Sequence, residues 1–487
     1  MSDDRRQEEA QHAAPLPVSY VLLLTTVCMV AVLAPVNSTM LAVALPALRD
    51  EFNVGHSEIA WLVSAYLIAM AVAQPLGGRI GDQLGRVRVI RAGLIAFVVM
   101  SLLAAMAPNF WVLMFLRTGQ GLIGASIMPN GMAMLREALP VNKLGRSNGI
   151  TGALISLSAA VGPLLGATLL ALGSWRLLFL VNIPIVAAAL VLLTVLRYPP
   201  RRRAMDLSID WRGALLFATI LVLATALLDA ADSGDRVLLG VTLIALPLLL
   251  LGFVQLQLGS ANPVAEWRLF RIRSYAGSTM YILLTNLVMY TAILAMPFFV
   301  EEIQGRSTMQ SGILLGALSI PVFFLAPAGG RLADAVGRRP LVNIGSVLIV
   351  AGSGALFLGI GKSVPYAYLL GVLALMGVGL GLSVGPAGTA AIESAPRELA
   401  GSAAGTNSMM RYVGSIIGTG MLGAVLNTDG DAPAIGLFRV ILGVLLVVSV
   451  LGFVSSLFIH RFPGERVVDG PATTPLPVSE GVGARAP

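Results

Sequence analysis

Long apolar runs separated by short polar loops fill this chain from about residue 18 to residue 460. A helix needs about 20 mainly apolar residues to cross the hydrocarbon core of a bilayer, and the runs reach that length. The pattern therefore predicts an all-α polytopic membrane protein with 14 transmembrane helices. Their expected bounds are 18–41, 57–77, 88–107, 109–131, 147–171, 177–197, 213–231, 236–258, 276–300, 309–329, 341–361, 366–388, 402–426 and 435–459.

Two of the polar loops have nearly the same sequence. Residues 78–86 read GRIGDQLGR, and residues 330–338, 252 positions later, read GRLADAVGR. The first loop follows the second predicted helix and the second follows the tenth, so the repeat offset is eight helices, whereas a plain duplication of six would give six. We therefore expect two pseudo-symmetric six-helix bundles with two inserted helices, the seventh and the eighth, between them.

Five parts are expected along the chain. They are an N-terminal tail (1–17), an N-terminal six-helix bundle (18–197), a loop with the two inserted helices (198–258), a C-terminal six-helix bundle (259–460) and a C-terminal tail (461–487). The C-terminal tail is rich in Pro, Gly and Val, and we interpret it as disordered. The first apolar run is too long for the core of a signal peptide, so we interpret it as a retained helix.

Composition and charge exclude several classes of protein. Hydrophobic residues make up 56% of the chain and charged residues only 12%, which is unlike any soluble domain. The single cysteine, Cys28, excludes disulfides and cysteine metal sites. The net charge of +7 comes from arginines in short loops and forms no continuous stripe, so we expect no nucleic-acid partner. We expect no cofactor and no metal either, and a chain that acts as a monomer in the lipid bilayer.

The distribution of positive charge predicts the orientation in the membrane. An even number of helices places both termini on one side. About 25 Lys and Arg residues lie in the loops and tails of that side and about 6 on the other, which indicates cytoplasmic termini by the positive-inside rule. We expect a multi-pass protein of the cytoplasmic (inner) membrane.

Several motifs lie on these predicted elements. In the repeated loop, glycines permit a tight turn, Asp82 and Asp334 are placed to cap the next helix, and Arg86 and Arg338 are placed to pair with them. The other motifs are 116–125 (LRTGQGLIGA), 161–166 (VGPLLG), and Trp175-Arg176 followed by Phe179, Asn182 and Pro184.

Together these stretches resemble motifs of the major facilitator superfamily, and specifically of its 14-helix drug:proton antiporter branch. The resemblance covers about residues 18–460. It implies a secondary transporter whose two bundles rock around a central site. It also implies that the repeated loop is a conformational latch between the bundles, the alternative being a role in topology and capping alone. The latch residues are Gly78, Asp82, Gly85, Arg86, Asp334 and Arg338.

The fifth predicted helix carries Gly162, Pro163 and Gly166. Two small residues four apart let helix backbones approach closely, and the proline bends the helix between them. The resemblance associates this motif with antiporters, so we interpret it as a packing hinge that also resists leakage during the access switch. Pure packing is the alternative.

Arg117 lies inside the fourth predicted helix, about 12 Å along the axis from its start. Burying a charge at that depth costs free energy, and such a charge normally faces a cavity or a partner, so Arg117 is a candidate site residue. The alternative is that backbone carbonyls and Gln120 satisfy its hydrogen bonds. The resemblance implies an aspartate in the first helix, but Asn37 occupies that position. Asparagine does not titrate, so the residue to which the branch's proton coupling is often assigned is absent here.

Two hypotheses follow from Asn37. Another carboxylate carries protons, the candidates being Asp229, Glu301, Glu302 and Glu393, although all four lie near predicted helix ends, where a solvated charge is the alternative. Or the substrate supplies the counter-charge to Arg117, which favours an anionic cargo. The three histidines, His12, His56 and His460, lie outside the predicted spans, so we expect no buried histidine switch.

Asn407 and Arg411 lie four residues apart on one face of the thirteenth predicted helix and resemble a polar pair of the branch. Two interpretations stay open. The pair packs on the first bundle, or it lines the cytoplasmic vestibule.

The resemblance implies an exporter of lipophilic drugs or related small molecules, driven by inward proton flow. A chain with 19 Met and 17 Phe has the soft apolar side chains that suit an adaptable pocket, although most must face lipid or neighbouring helices. A dedicated exporter of one metabolite, including an anionic one, or of a self-made antibiotic is the alternative. A membrane enzyme would need clustered intramembrane His, Asp or Glu, and an ATP-driven pump would need a phosphate-binding loop, and the sequence contains neither.

Overall fold

The computed structural model describes residues 19–196, 198, 210–233, 236–260, 266–361, 363–396, 399–426 and 435–461. Within these ranges the regular elements are helices and no β-strand is present. The transmembrane elements are α1 (Tyr20–Phe52), α2 (His56–Leu84), α3 (Arg86–Ala105), α4 (Phe110–Ala138), α5 (Val141–Ala171), α6 (Leu177–Val195), α7 (Trp211–Ser233), α8 (Arg236–Gly259), α9 (Arg273–Phe298), α10 (Thr308–Val336), α11 (Arg338–Gly359), α12 (Tyr366–Ser394), α13 (Ala400–Leu426) and α14 (Ile435–Ser456).

These 14 helices confirm the predicted fold class, since each one overlaps a predicted span. Among the described residues, 11 helices are long and apolar enough to cross a membrane. The others are α5, α7 and α13. Small and polar residues are frequent in α13, which packs on α2, α7 and α9.

One boundary differs clearly from prediction. The first helix was expected to end at residue 41, but α1 continues to Phe52 through Pro35 and Pro46. Its residues 36–46 are all buried. Neighbouring helices satisfy backbone groups that a proline leaves free, so a proline does not end a transmembrane helix as it would end a solvated one.

The helices pack in a repeated arrangement. The fifth helix of each bundle contacts the first helix of its own bundle and the second helix of the other: α5 packs on α1 and α10, and α13 packs on α9 and α2. The inserted helix α7 packs on α2 and α13, and α8 packs on α7. The seam between the bundles is therefore formed by α5 with α10 and by α13 with α2.

Glycines make both close approaches possible. A Cβ atom at Gly166 would lie 2.5 Å from the carbonyl oxygen of Met40 on α1, and one at Gly418 would lie 2.7 Å from the carbonyl oxygen of Leu287 on α9. Gly162 and Gly414 are equally close to α1 and α9. The second pair lies 252 positions after the first, which is the offset of the repeated loop. The close-packed glycine pair thus belongs to both bundles, whereas the sequence motif indicated only the first.

We call the membrane face where α1 begins and α14 ends the terminal face, and the opposite face the distal face. The repeated loops lie on the terminal face. Each has a single connecting residue, Gly85 or Gly337, with φ of 94° and 99°, which only glycine adopts without strain.

Candidate functional site

Arg117 is the centre of a buried polar cluster in the first bundle. Its side chain is 1% exposed. Nη1 donates to Asn37 Oδ1 at 2.5 Å and to Gln120 Oε1 at 3.1 Å, and Nη2 donates to the Asn37 carbonyl oxygen at 2.9 Å. The guanidinium carbon lies 3.9 Å from the centroid of the Tyr66 ring, so a cation–π contact covers one face. Arg117 therefore has only neutral partners among the described residues.

The structure brings together Asn37, Arg117 and Gln120 as the sequence predicted, and it adds a ring that the sequence did not indicate. Tyr66 lies in an apolar stretch of α2, where an aromatic residue normally packs in the core. Gln120 is held in turn by Ser101, to which its Nε2 donates at 2.8 Å. The alternative weighed for Arg117, satisfaction by backbone carbonyls and Gln120, describes part of this geometry.

Three polar atoms of this cluster have no hydrogen-bond partner among the described residues. They are Nε of Arg117, Nδ2 of Asn37 and the hydroxyl of Tyr66, and all three are buried. The first two are donors only. Buried donors without acceptors are uncommon in folded proteins, and each requires an explanation.

The second bundle places a further polar group opposite this cluster. The Tyr290 hydroxyl, on α9, contacts Ser38 on α1 and lies within electrostatic range of both Arg117 and Arg411. Tyr412, next to Arg411 on α13, lies within electrostatic range of Tyr66 and Tyr290. Tyr290 therefore lies within electrostatic range of an arginine from each bundle, Arg117 on α4 and Arg411 on α13.

Arg411 and Asn407 differ in exposure although they lie on one face of α13. Arg411 is exposed near the middle of the helix. Asn407 is 3% exposed, and its Oδ1 has no partner in the described part of the chain. The nearby glycines of α13, Gly414 and Gly418, pack on α9 of their own bundle.

On the terminal face, each repeated loop carries an ion-paired arginine. Arg86 donates to Asp82 at 2.5 Å and to Glu137 at 2.6 Å. Glu137, at the end of α4, also accepts a hydrogen bond from the Tyr198 hydroxyl at 2.9 Å. The pairing of Asp82 with Arg86 is as expected, whereas Glu137 and Tyr198 gave no signal in the sequence. Their function as a latch stays a prediction.

The second loop repeats this arrangement with one change. Arg338 donates to Asp334 at 2.5 Å and to Glu393 at 3.0 Å. Glu393 lies 3.5 Å from His460, where the first bundle uses a tyrosine. The interpretation of Glu393 as a solvated charge is therefore wrong: it is 26% exposed and paired with Arg338 and His460.

Two details of the loop interpretation are wrong as well. Asp82 and Asp334 do not cap the following helices, because the N-cap positions are Gly85 and Gly337 and no side-chain cap is formed. Gly78 lies within α2 and forms no turn. Each aspartate instead pairs with the arginine that begins the following helix, four positions later in the sequence.

The surroundings of His460 also differ from what the sequence suggested. It is 6% exposed, its Nδ1 lies 2.7 Å from the Ser274 hydroxyl, and the Ser394 hydroxyl is 3.1 Å away. His460 lies after the end of α14, outside the transmembrane helices, and its side chain is buried because the segment after α14 packs against the start of α9 and the end of α12. The expectation that no histidine acts as a buried switch stays a prediction. His12 lies outside the described residues.

A second ion cluster joins the bundles at the distal face. Arg49, near the end of α1, donates to Glu302 Oε1 at 2.6 Å. His56 Nε2 lies 2.6 Å from the same Arg49 nitrogen and 3.3 Å from Glu302 Oε2. We call Arg49, His56 and Glu302 the distal clamp. The interpretation of Glu302 as a solvated charge is wrong, since its side chain is 13% exposed.

Glu301, the neighbour of Glu302, faces its own bundle. Its Oε2 accepts a hydrogen bond from the Thr308 hydroxyl at 2.9 Å, and its Oε1 is buried without a partner among the described residues. Both glutamates lie in a π-helical turn, Phe299–Ile303, that continues α9. The side chain of Asp229 lies outside the described residues, so that candidate stays a prediction.

The fold and this geometry define a polytopic membrane transporter, with two helical bundles, polar residues at their seam and ion pairs at both faces. The chain belongs to the major facilitator superfamily, whose profile matches residues 27–419. Like other members of that family, it acts on a small-molecule substrate and is not an enzyme.

Relatives and solved structures agree with this assignment. An uncharacterized transporter of the family from Bacillus subtilis, YvkA, is 30% identical over 91% of this chain and 97% of its own length. A multidrug resistance protein B homolog from Mycobacterium tuberculosis is 31% identical over 86% of this chain and 79% of its own. The crystal structure of a D-xylose-proton symporter covers 91% of this chain and 99% of its own, with a TM-score of 0.68 at 14% identity, which supports the fold alone.

Proposed function

We propose that this protein exports lipophilic drugs or related small molecules across the cytoplasmic membrane, by alternating access and in exchange for protons. The observation that carries the proposal is the buried polar cluster of Arg117, Asn37 and Tyr66, which lies within electrostatic range of Tyr290 on the second bundle. Placing polar groups within the hydrocarbon region costs free energy, and such groups mark a substrate pathway. The relatives named multidrug resistance proteins support the substrate class.

The packing supports alternating access. Each fifth helix contacts both bundles, so rocking changes the contacts of α5 with α10 and of α13 with α2. The distal clamp joins the bundles at one face only, which gives that face an ion pair to break when it opens. We propose that the distal face is external and that the terminal face, with the excess of positive charge, is cytoplasmic.

The proton pathway requires a carboxylate other than one on α1, and the four candidates differ in their surroundings. Glu302 and Glu393 are ion-paired at opposite faces. Glu301 has a buried carboxylate oxygen without a partner among the described residues, so it is the best-supported proton carrier of the four candidates. Replacement of Glu301 by Gln is expected to abolish the effect of a pH gradient on transport without abolishing substrate binding.

The experiment is transport of a lipophilic dye panel by proteoliposomes with an imposed pH gradient, repeated after a protonophore collapses it. We expect accumulation of several unrelated dyes that falls when the gradient is lost. Gly166→Val serves as the inactive variant because its side chain would collide with α1, and Gly240→Val on α8 is the matched control with open space around it. Accumulation that is unchanged without the gradient contradicts proton exchange, and accumulation of no dye contradicts the export of lipophilic compounds.

A further inference from the structure

The charges near the middle of the described helices are positive. Arg117 and Arg411 both lie within electrostatic range of Tyr290. The described Asp and Glu residues lie in loops or within five residues of a helix end. Among the described side chains, no carboxylate forms an ion pair with Arg117 or Arg411, so positive charge predominates there.

The polar atoms that lack partners point to the same ligand chemistry. Nε of Arg117 and Nδ2 of Asn37 are buried donors without acceptors among the described residues. An anionic oxygen accepts hydrogen bonds from both and offsets the charge of the arginine. A cationic group adds donors where donors already lack partners, and it is repelled by both arginines.

The surroundings of the two arginines indicate the rest of the ligand. Tyr66, Tyr290 and Tyr412, from α2, α9 and α13, lie within electrostatic range of one another. Tyr66 already covers one face of the Arg117 guanidinium at 3.9 Å. Aromatic rings around a cationic centre provide a large apolar contact area for a flat, lipophilic body.

We propose that the substrates are lipophilic anions, and that the seam binds their acidic group, a carboxylate or a sulfonate, between Arg117 with Asn37 on one bundle and Arg411 on the other. The inference rests on the proposed export function and specifies its substrate class. Arg411 is exposed, so it receives the anion first; the Arg117 cluster is buried and becomes accessible as the bundles separate.

This substrate class also explains how the transporter works without an acid on α1. An anion that leaves a negatively charged cytoplasm moves down the electrical gradient, which supports a concentration ratio of about fiftyfold per 100 mV. A proton that enters the cell also moves net positive charge inward, as the export of an anion does. Export of an anion is therefore driven by the membrane potential whether or not a proton is exchanged.

The test uses three compounds with one aromatic scaffold: a carboxylate, its uncharged amide and a primary amine. Transport by proteoliposomes is measured with and without an imposed potential, together with binding to the purified protein. We expect the carboxylate to be transported at least about tenfold faster than the other two, since one charge-assisted contact is worth that factor, and faster still with the potential imposed.

Two variants and one control locate the effect. Arg411→Gln removes the exposed cation, and Asn37→Asp places a carboxylate beside Arg117; each is expected to lower the carboxylate-to-amide ratio by about tenfold in binding and transport. Arg439→Gln, on the outward side of α14 near Phe357, is the matched control and leaves the ratio unchanged. If a variant only lowers the amount of folded protein, transport of all compounds falls equally and the carboxylate-to-amide ratio does not change.

The outcomes separate the two proposals. Equal transport of all three compounds, or preference for the amine, overturns the anion inference and leaves the exporter function intact. A ratio that Arg411→Gln and Asn37→Asp do not change also overturns it. Transport of none of the compounds by folded protein contradicts the export function and, with it, the inference. If the carboxylate is transported preferentially and both variants abolish that preference, the result supports both proposals.

Discussion

Replacement of Glu302 by Gln is expected to open the distal face. The variant keeps the shape of the side chain and removes the ion pair with Arg49, whose nitrogen lies 2.6 Å from Glu302 Oε1. The two side chains are 20% and 13% exposed, so solvent screens the pair only in part. A charge-assisted hydrogen bond of this kind is worth about 2 kcal/mol, which is about thirtyfold in the ratio of closed to open states.

The assay is labelling of a cysteine below the clamp. Ser38, on α1, is 7% exposed, and Ser38→Cys in a Cys28→Ser background offers a single thiol at the seam. A membrane-impermeant maleimide applied from the distal face reacts only when that face opens. With Glu302→Gln we expect the labelling rate to rise by about thirtyfold, because opening precedes reaction.

Two controls make the result specific. Glu51→Gln removes an exposed carboxylate of the same face, which lies 3.8 Å from Arg176 of its own bundle, and should leave the rate unchanged. The charge-swapped variant Arg49→Glu/Glu302→Arg should restore slow labelling in part. A change of less than about twofold with Glu302→Gln, or an equal change with Glu51→Gln, would refute the assignment of the clamp as a gate.

Three further predictions concern stability and pH dependence. Gly418→Ala forces a methyl group against a backbone carbonyl of α9 and should lower stability to heat in detergent by about 2 kcal/mol, whereas Gly405→Ala on the same helix meets open space; equal melting curves would contradict the close approach. Arg338→Gln removes the ion pair with Asp334 and leaves Glu393 with His460 alone, so it should cost about 2 kcal/mol, whereas the exposed neighbour Arg339→Gln should cost little, as measured by thermal unfolding. Asn37→Asp adds a titratable group beside a buried arginine, so transport should gain a new dependence on pH; an unchanged rate and pH profile would show that this region is not a coupling site.

Local patterns predict the helices of this protein and most of their order in space. Apolar runs of sufficient length form helices in a bilayer whatever their partners, because no water is present to satisfy the backbone. The eight-helix offset of the repeated loop places the inserted pair, and the same offset of 252 positions relates Gly162 and Gly166 to Gly414 and Gly418. The end of α1 was missed, because tolerance of Pro46 depends on helices elsewhere in the chain.

The sequence predicted only those residues of the candidate site whose burial in the membrane costs free energy whatever their neighbours are. Arg117 is conspicuous because a charge in a transmembrane helix always requires an explanation. Tyr66 and Tyr290 are not conspicuous, because an aromatic residue in an apolar helix usually packs in the core. Glu302 and Glu393 lie near helix ends, where a charged side chain usually faces water, so the sequence did not indicate their ion pairs.

Hydropathy, charge bias and the repeated loop are thus sufficient to predict a fourteen-helix transporter and the depth of Arg117 in its helix. Its partners depend on the folded chain. Asn37 is 80 residues from Arg117 in sequence, and Arg49 is 253 residues from Glu302. Such contacts arise only when particular faces of distant helices meet, and close packing at Gly166 and Gly418 decides which faces these are. The pairing of the end charges and the neutral partners of Arg117 among the described residues are therefore properties of the tertiary structure.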